Sequence, residues 1–237
     1  MTGSLVSGDL RSRVRSLAEP VARGFGRLGL TPNHLTLFGF GIAILAAGVA
    51  AAQSWLAAGI LVLVGGAFDL LDGALARATG RVNRLGAFLD SVFDRWGEGV
   101  LYVGIAYGCA VAGFVEGSVL ATAALASAVM VSYARAKSEG LGFTPGTGMA
   151  NVGLAPREIR IAILTIGLVL TGLGGGVAPS TPIGCLENTG GCPQLADPHY
   201  GAPALGLTLG IIAILSTITT IQRILHVHRQ SEGDSNS

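Results

Sequence analysis

Apolar positions run along this chain in long blocks, and the polar positions that interrupt them are few and clustered. Between Arg27 and Asp69 there is no Asp, Glu, Lys or Arg, while a helix that crosses a bilayer needs only about 20 apolar residues. The gap predicts two spans, Thr31–Ala52 and Trp55–Ala78, separated by a turn at Gln53–Ser54. A third span is predicted over Leu85–Ala112, with Asp90, Asp94 and Glu98 in its first half and an apolar remainder. Three more follow at Ser118–Lys137, Glu158–Leu173 and Ala204–Leu225. Ahead of them, residues 9–28 put Leu10, Val14, Leu17, Val21 and Phe25 near helical spacing with five arginines between them. That pattern predicts an amphipathic helix on the membrane face, with Pro20 as a kink point. The first 30 residues hold no continuous apolar core, so a cleavable signal peptide is not expected.

The expected fold class is therefore an all-α integral membrane protein: six transmembrane helices plus an N-terminal amphipathic interfacial helix. Residues 1–30 form the N-terminal segment, 31–227 the six-helix domain, and 228–237 a disordered tail.

Composition strengthens this picture. Half the chain, 50%, is hydrophobic and only 12% is charged, against roughly 25% charged in a soluble domain. Fifteen Lys and Arg against fourteen Asp and Glu leave a formal charge of +1, so no bulk field draws in nucleic acid and no nucleic-acid partner is expected. The 37 glycines against 6% aromatics suit helices packed through small interfacial side chains.

Where the charges sit matters more than how many there are. With six alternating spans, the clusters Arg11 to Arg27, Arg77 to Arg84, Arg135 with Lys137, Arg157 with Arg160, and Arg223 with Arg229 share one side. The other side holds Glu116, Glu187 and Asp197 and no cation. The basic side is cytoplasmic by the positive-inside rule, which puts both termini and the acidic clusters there, in the cell membrane. Residues 174–202, rich in Gly and Pro, form a long external loop, where an oxidising exterior would permit a Cys185–Cys192 disulfide.

Carboxylates at the edge of apolar helices are costly to bury and mark a functional site by default. Asp69 and Asp72 are three apart on one helix face, and Asp90 and Asp94 are four apart on a face of the next span. The two helices are consecutive and antiparallel, joined around Gly80–Asn83, so the pairs meet at one end. Such hard oxygen donors are what Mg²⁺ or Mn²⁺ requires. Four carboxylates can hold two ions, an arrangement suited to phosphoryl transfer. Gly73 beside Asp72 and Gly86 one turn before Asp90 leave room for a phosphate or a neighbouring helix to come close.

The whole string, Asp69-x2-Asp72-Gly73-x2-Ala76-Arg77-x8-Gly86-x3-Asp90-x3-Asp94, resembles the signature of the CDP-alcohol phosphatidyltransferase family at every defined position. The segment Thr31-Pro32-Asn33-His34-Leu35-Thr36 also resembles that family's approach to its first span, although Pro in the first turn behind a Thr cap describes any helix start equally well. The resemblance implies an enzyme that takes CDP-diacylglycerol or a related CDP-linked lipid and displaces CMP with an alcohol. It also implies that Asp69, Asp72 and Asp90 bind metal, and that Asp94 touches the second metal and accepts the proton of the attacking hydroxyl. Gly73 and Arg77 would hold the nucleotide diphosphate, with Asn33, Thr36 and Asn83 contributing. Asn83 stands where the family pattern leads one to expect Ser or Thr. Two Mg²⁺ ions, with Mn²⁺ as a substitute, and a homodimer belong to the same implication.

For the acceptor, Arg135 and Lys137 close the fourth span and Arg157 and Arg160 open the fifth. The positive-inside pattern alone accounts for such charges. Arginines at a helix start, however, oppose the helix dipole, and a bound phosphate would justify them. The pattern resembles the basic pocket of the family's inositol-phosphate-using branch, without that branch's full loop sequence. A phosphorylated alcohol is expected, inositol phosphate ahead of glycerol 3-phosphate, with serine still open. Two other classes fit less well. An intramembrane prenyltransferase would carry a third Asp where Ala76 stands, and a transporter would spread its carboxylates through the membrane depth.

Overall fold

The structure, a computed structural model, describes residues 20–22, 24–80, 83–143, 152–177 and 200–235. Among these residues the regular elements are helices, with no strand. They are α1 (Pro32–Ala51), α2 (Trp55–Ala78), α3 (Arg84–Val111), α4 (Val115–Gly140), α5 (Arg157–Leu173) and α6 (Gly201–Ser235).

Local chemistry sets the starts that matter for the site. Thr31 caps α1: its hydroxyl accepts from the His34 N–H at 3.3 Å, and His34 Nδ1 accepts from the Thr31 N–H at 3.4 Å. With Pro32 in the first turn, this is the reciprocal capping arrangement that satisfies otherwise orphaned donors. Asn83 caps α3 by accepting from the Gly86 N–H at 2.6 Å.

Four helices, α1, α2, α4 and residues Gly201–Glu232 of α6, are long and apolar enough to cross a membrane. By itself α3 does not qualify, since its first half carries Arg84, Asp90, Asp94, Arg95 and Glu98. At 17 residues, α5 is too short to qualify. Large apolar side chains such as Leu37, Leu45, Leu63, Val103 and Leu207 are exposed, the surface that a lipid solvent would cover.

α1 packs on α2 and α3, α4 on α3 and α6, and α5 on α2 and α6. Small residues make the closest crossings. A Cβ at Gly104 or Gly108 of α3 would run into the carbonyls of Ala47 or Ala50 on α1, and one at Gly172 of α5 into the backbone of Leu56 on α2. Trp55, Tyr102, Ile105, Leu164, Leu168, Leu205, Leu209 and Ile212 fill the core between these crossings. Because successive helices alternate in direction, the starts of α1, α3 and α5 lie with the ends of α2, α4 and α6. The hydrogen bonds Thr36–Asp72, Arg157–Asp69 and Arg223–Val131 tie that end together.

One expectation from the sequence differs from what is observed. The region read as a disordered tail is helical as far as Ser235, continuing α6. No proline interrupts it, and His228 and Glu232 pair at 3.6 Å one turn apart. Of the N-terminal amphipathic helix, residues 20–22 and 24–27 are helical. Ala22 is buried with Leu35, Ala74 and Leu75, whereas Val21 is half exposed. Residues 9–19 lie outside the described residues, as do Cys185 and Cys192 and most of the 174–202 loop. Cys109 is buried.

Gly104→Val should lower the detergent unfolding midpoint by the equivalent of about 2 kcal/mol or more, because an α3 side chain would have to displace α1 backbone. Gly48→Ala, where a Cβ meets nothing within 4 Å, should change it by less than about 1 kcal/mol.

Candidate active site

The carboxylates of the Asp69–Asp94 string gather at the shared end of the bundle. Asp72 is 5% exposed, and its Oδ2 accepts a 2.7 Å hydrogen bond from the Thr36 hydroxyl of α1. Asp69 lies against Gly39 of α1, where a Cβ would stand 3.2 Å from its Oδ1. Arg157, at the first turn of α5, bridges the two acidic helices. Its Nη2 donates to Asp69 Oδ2 at 2.8 Å, and its Nη1 stands 3.1 Å from Asp94 Oδ2. Arg95 adds a second cation 3.7 Å from Asp94. Asp90 lies close enough to Asp69 and Asp72 for their charges to interact. An open cavity lies between α1, α2, α3 and α5, with Asp69, Asp94 and Arg157 among its polar lining and Leu61, Val62 and Leu101 among its apolar lining.

The residues expected to face a nucleotide fall into two groups. Arg77 folds back over Gly73, its Nη1 3.3 Å from where a Cβ would be. Asn33 and Asn83, from the starts of α1 and α3, converge on Gly86, whose added Cβ would meet their amide oxygens at 3.2 and 3.3 Å. The space beside each glycine is thus taken by polar side chains. Thr36 is engaged with Asp72, its hydroxyl donating to the carboxylate.

The basic residues separate. Arg135 pairs with Glu139 one turn on at 2.8 Å, and Lys137 is exposed beside it. Arg157 sits on the aspartates. Arg160, expected with it as an acceptor-phosphate contact, turns inward and is 1% exposed. Its Nε and Nη2 donate to both oxygens of buried Glu98 at 2.8 and 2.7 Å, and its Nη1 donates to the Ala155 carbonyl at 2.9 Å. That corrects the expectation. A guanidinium at this position on α5 is paired with the carboxylate one turn beyond Asp94 and is not presented to a ligand. Arg223 of α6, read from sequence only as part of the positive face, is also buried and donates to the carbonyls of Val152 and Val131. The sequence did carry a signal for the Glu98 pairing, since Asp90, Asp94 and Glu98 form an acidic stripe at four-residue spacing.

As placed, no three His, Cys, Asp or Glu side chains among the described residues form a ready-made metal-binding group. Asp72 is held by Thr36, and Asp69 and Asp94 share one guanidinium. The donor chemistry nonetheless fits a hard divalent cation. The donors are carboxylate oxygens, two of them already converge on one cationic group, and the others lie within electrostatic range.

A sequence model described as CDP-alcohol phosphatidyltransferase matches residues 29–181. An archaetidylinositol phosphate synthase of Pyrococcus horikoshii is 34% identical over 223 residues, covering 94% of this chain and 97% of that protein. A phosphatidylinositol phosphate synthase of Cutibacterium acnes is 32% identical over 216 residues, covering 90% and 93%. Among solved structures, Mycobacterium tuberculosis phosphatidylinositol phosphate synthase with CDP-DAG bound superposes with a TM-score of 0.71 at 27% identity, covering 90% of this chain and 94% of that one. The same enzyme in complex with manganese and citrate gives a TM-score of 0.69, also at 27% identity, covering 89% and 88%.

Thr36→Val keeps the side-chain shape but leaves the buried Asp72 oxygen without its donor. It should cost about 1–3 kcal/mol, read as a lower unfolding midpoint in detergent, while Leu37→Val on the exposed face of the same helix should change the midpoint little.

Proposed function

Because this chain belongs to the CDP-alcohol phosphatidyltransferase family, we propose that it transfers the phosphatidyl group of CDP-diacylglycerol, or of a related CDP-linked lipid, to a phosphorylated alcohol and releases CMP. Inositol phosphate is the preferred acceptor, in keeping with the activity named for both relatives, with glycerol 3-phosphate next. The observation that carries the proposal is the meeting of the signature aspartates with the cation of α5 at the mouth of a cavity lined by apolar residues. A lipid-linked diphosphate and a soluble anionic alcohol have to meet at such a boundary.

In the reaction, the acceptor hydroxyl oxygen forms a bond to the phosphorus that carries the diacylglycerol. The bond from that phosphorus to the CMP phosphate oxygen breaks, and CMP leaves with the electron pair. The hydroxyl proton passes to the Asp94 carboxylate, which acts as general base. Divalent cations held by Asp69, Asp72, Asp90 and Asp94, two Mg²⁺ with Mn²⁺ as substitute, would supply Lewis-acid stabilisation of the diphosphate charge. Thr36 fixes the Asp72 carboxylate in one orientation. Arg77 above Gly73, with Asn33 and Asn83 around Gly86, would hold the nucleotide diphosphate. Arg135, Lys137 and Arg157 would take the acceptor phosphate as charge-assisted donors.

We read α3 and α5 as further spans of a six-span bundle. The 17 residues of α5 make about 26 Å of helix, close to the roughly 30 Å hydrocarbon core. The charges of α3 lie in its first half, at the end where it would leave the bilayer. With the cations of the described residues gathered at that end, the site and both termini face the cytoplasm across the cell membrane. Pairing as a homodimer belongs to the same proposal.

Purified protein with CDP-diacylglycerol, Mg²⁺ and inositol phosphate should release CMP; folded protein that releases none with any alcohol offered would refute the proposal. Asp94→Asn should reduce turnover by at least about a hundredfold while still binding CDP-lipid. Arg157→Ala should raise the KM for inositol phosphate about tenfold or more and leave the KM for CDP-diacylglycerol within about threefold. Equal effects on both would remove Arg157 from the acceptor side.

A further inference from the structure

We propose that the buried Glu98–Arg160 pair is a positioning device that fixes the register of α5 against α3 and so keeps Arg157 on Asp69 and Asp94. The inference rests on those aspartates being the metal-binding carboxylates proposed above.

α3 and α5 both begin at the acidic end, so they run in the same direction, and their charges stack in the same order. Asp94 faces Arg157; one turn deeper, Glu98 faces Arg160. The two helices are not among the pairs that pack closely on each other. They form opposite walls of the cavity, which both Glu98 and Arg157 line. α5 is set in place by its packing on α2 and α6, and the contacts that tie it directly to α3 are directional ones.

The Glu98–Arg160 contact is of that kind. Two parallel N–H···O bonds define distance and orientation together, and the third bond to Ala155 fastens the residues just before α5 to the same guanidinium. Arg157 is held at its two Nη atoms by carboxylates of two different helices, with its Nε buried and without a partner, so keeping both contacts requires that the first turn of α5 stay at one height. A slip of α5 by one turn, about 5.4 Å, would set one arginine against the other's carboxylate and strand a buried charge. The deeper pair therefore enforces a single register. At 1% and 4% side-chain exposure, the two partners spend their hydrogen-bonding capacity on each other, and their proposed effect on the site is through the placement of Arg157.

Mn²⁺ binding to the purified protein in detergent, followed by the EPR signal of the free ion, tests the inference in wild type, Arg157→Ala, the double variant Glu98→Met with Arg160→Met, and the triple variant. Removing the Arg157 cation should tighten Mn²⁺ binding about tenfold or more. The Met/Met variant replaces both charges together, a change that buried pairs tolerate, and its melting point should stay near that of wild type. If the pair positions Arg157, Met/Met tightens Mn²⁺ in the same direction, and this shift disappears in the Arg157→Ala background. A folded Met/Met protein with wild-type Mn²⁺ affinity, or a shift that persists undiminished without Arg157, would overturn the inference. Should Met/Met not fold, Arg160→Lys decides: it keeps the charge and loses the fork. A tighter Mn²⁺ affinity that depends on Arg157 supports the pair's role, and an unchanged affinity overturns it. If folded wild type binds no Mn²⁺, the metal reading fails and the inference falls with it; Mn²⁺ binding with additive shifts overturns the inference alone.

Discussion

Arg157 stands between Asp69 on α2 and Asp94 on α3, and the neighbouring geometry follows from the electrostatic demand that this bridge meets. Carboxylates gathered at the end of an apolar bundle repel one another, and in surroundings of reduced dielectric that repulsion is several times its value in water. Asp69, Asp72, Asp94 and Glu98 each meet a polar partner. Asp72 takes the Thr36 hydroxyl, Asp69 and Asp94 share the guanidinium, Arg95 adds charge beside Asp94, and Glu98 holds Arg160. The acids come from α2 and α3, while the groups that answer them come mostly from α1 and α5. The helices are therefore tied to one another by polar contacts at the end where the chemistry is proposed.

Such compensation requires that backbones come close, and glycine and alanine supply the approach. The Thr36 side chain reaches Asp72 because α1 lies near both acidic helices, with Gly39 open to Asp69 and Gly104 and Gly108 open to Ala47 and Ala50. In lipid no hydrophobic force drives helices together, so close van der Waals contact and interhelical hydrogen bonds carry the association. A stripe of small residues deep in the bundle thus bears directly on how far the polar end can close.

Much of this was legible in the sequence. The charge-free stretch from Arg27 to Asp69 marked α1 and α2, the turn at Gln53–Ser54 lies where it was placed, and the spacing of Asp69, Asp72, Asp90 and Asp94 placed them at one end of two antiparallel helices. Legibility stopped at long-range pairing. Periodicity shows that Arg157 and Arg160 share a face of α5, but not that the turn between them sends one to Asp69 and Asp94 and the other to Glu98. Likewise, Thr36 reads as a position in a helix start, and nothing within α1 announces a partner 36 residues on. The C-terminal end was misjudged for a related reason. Its polar composition was taken for disorder, although polar residues with one-turn pairing can prolong a helix that an apolar span has already nucleated.

The separation of Arg157 from Arg160 has a chemical consequence. A buried arginine fully engaged with a carboxylate is a poor phosphate ligand, since removing its partner costs about 3–5 kcal/mol, more than a solvent-exposed contact returns. A partly exposed arginine shared between two carboxylates is different, because an incoming phosphate and incoming cations can exchange places with it without leaving any charge alone. On the proposed function, the acidic site would not have to accept an anionic acceptor against its own field: as divalent cations took over the carboxylates, Arg157 would become available to the acceptor phosphate, beside Arg135 and Lys137. Filling one half of the site would then prepare the other, and a fixed register for α5 would keep a single arginine within reach of both.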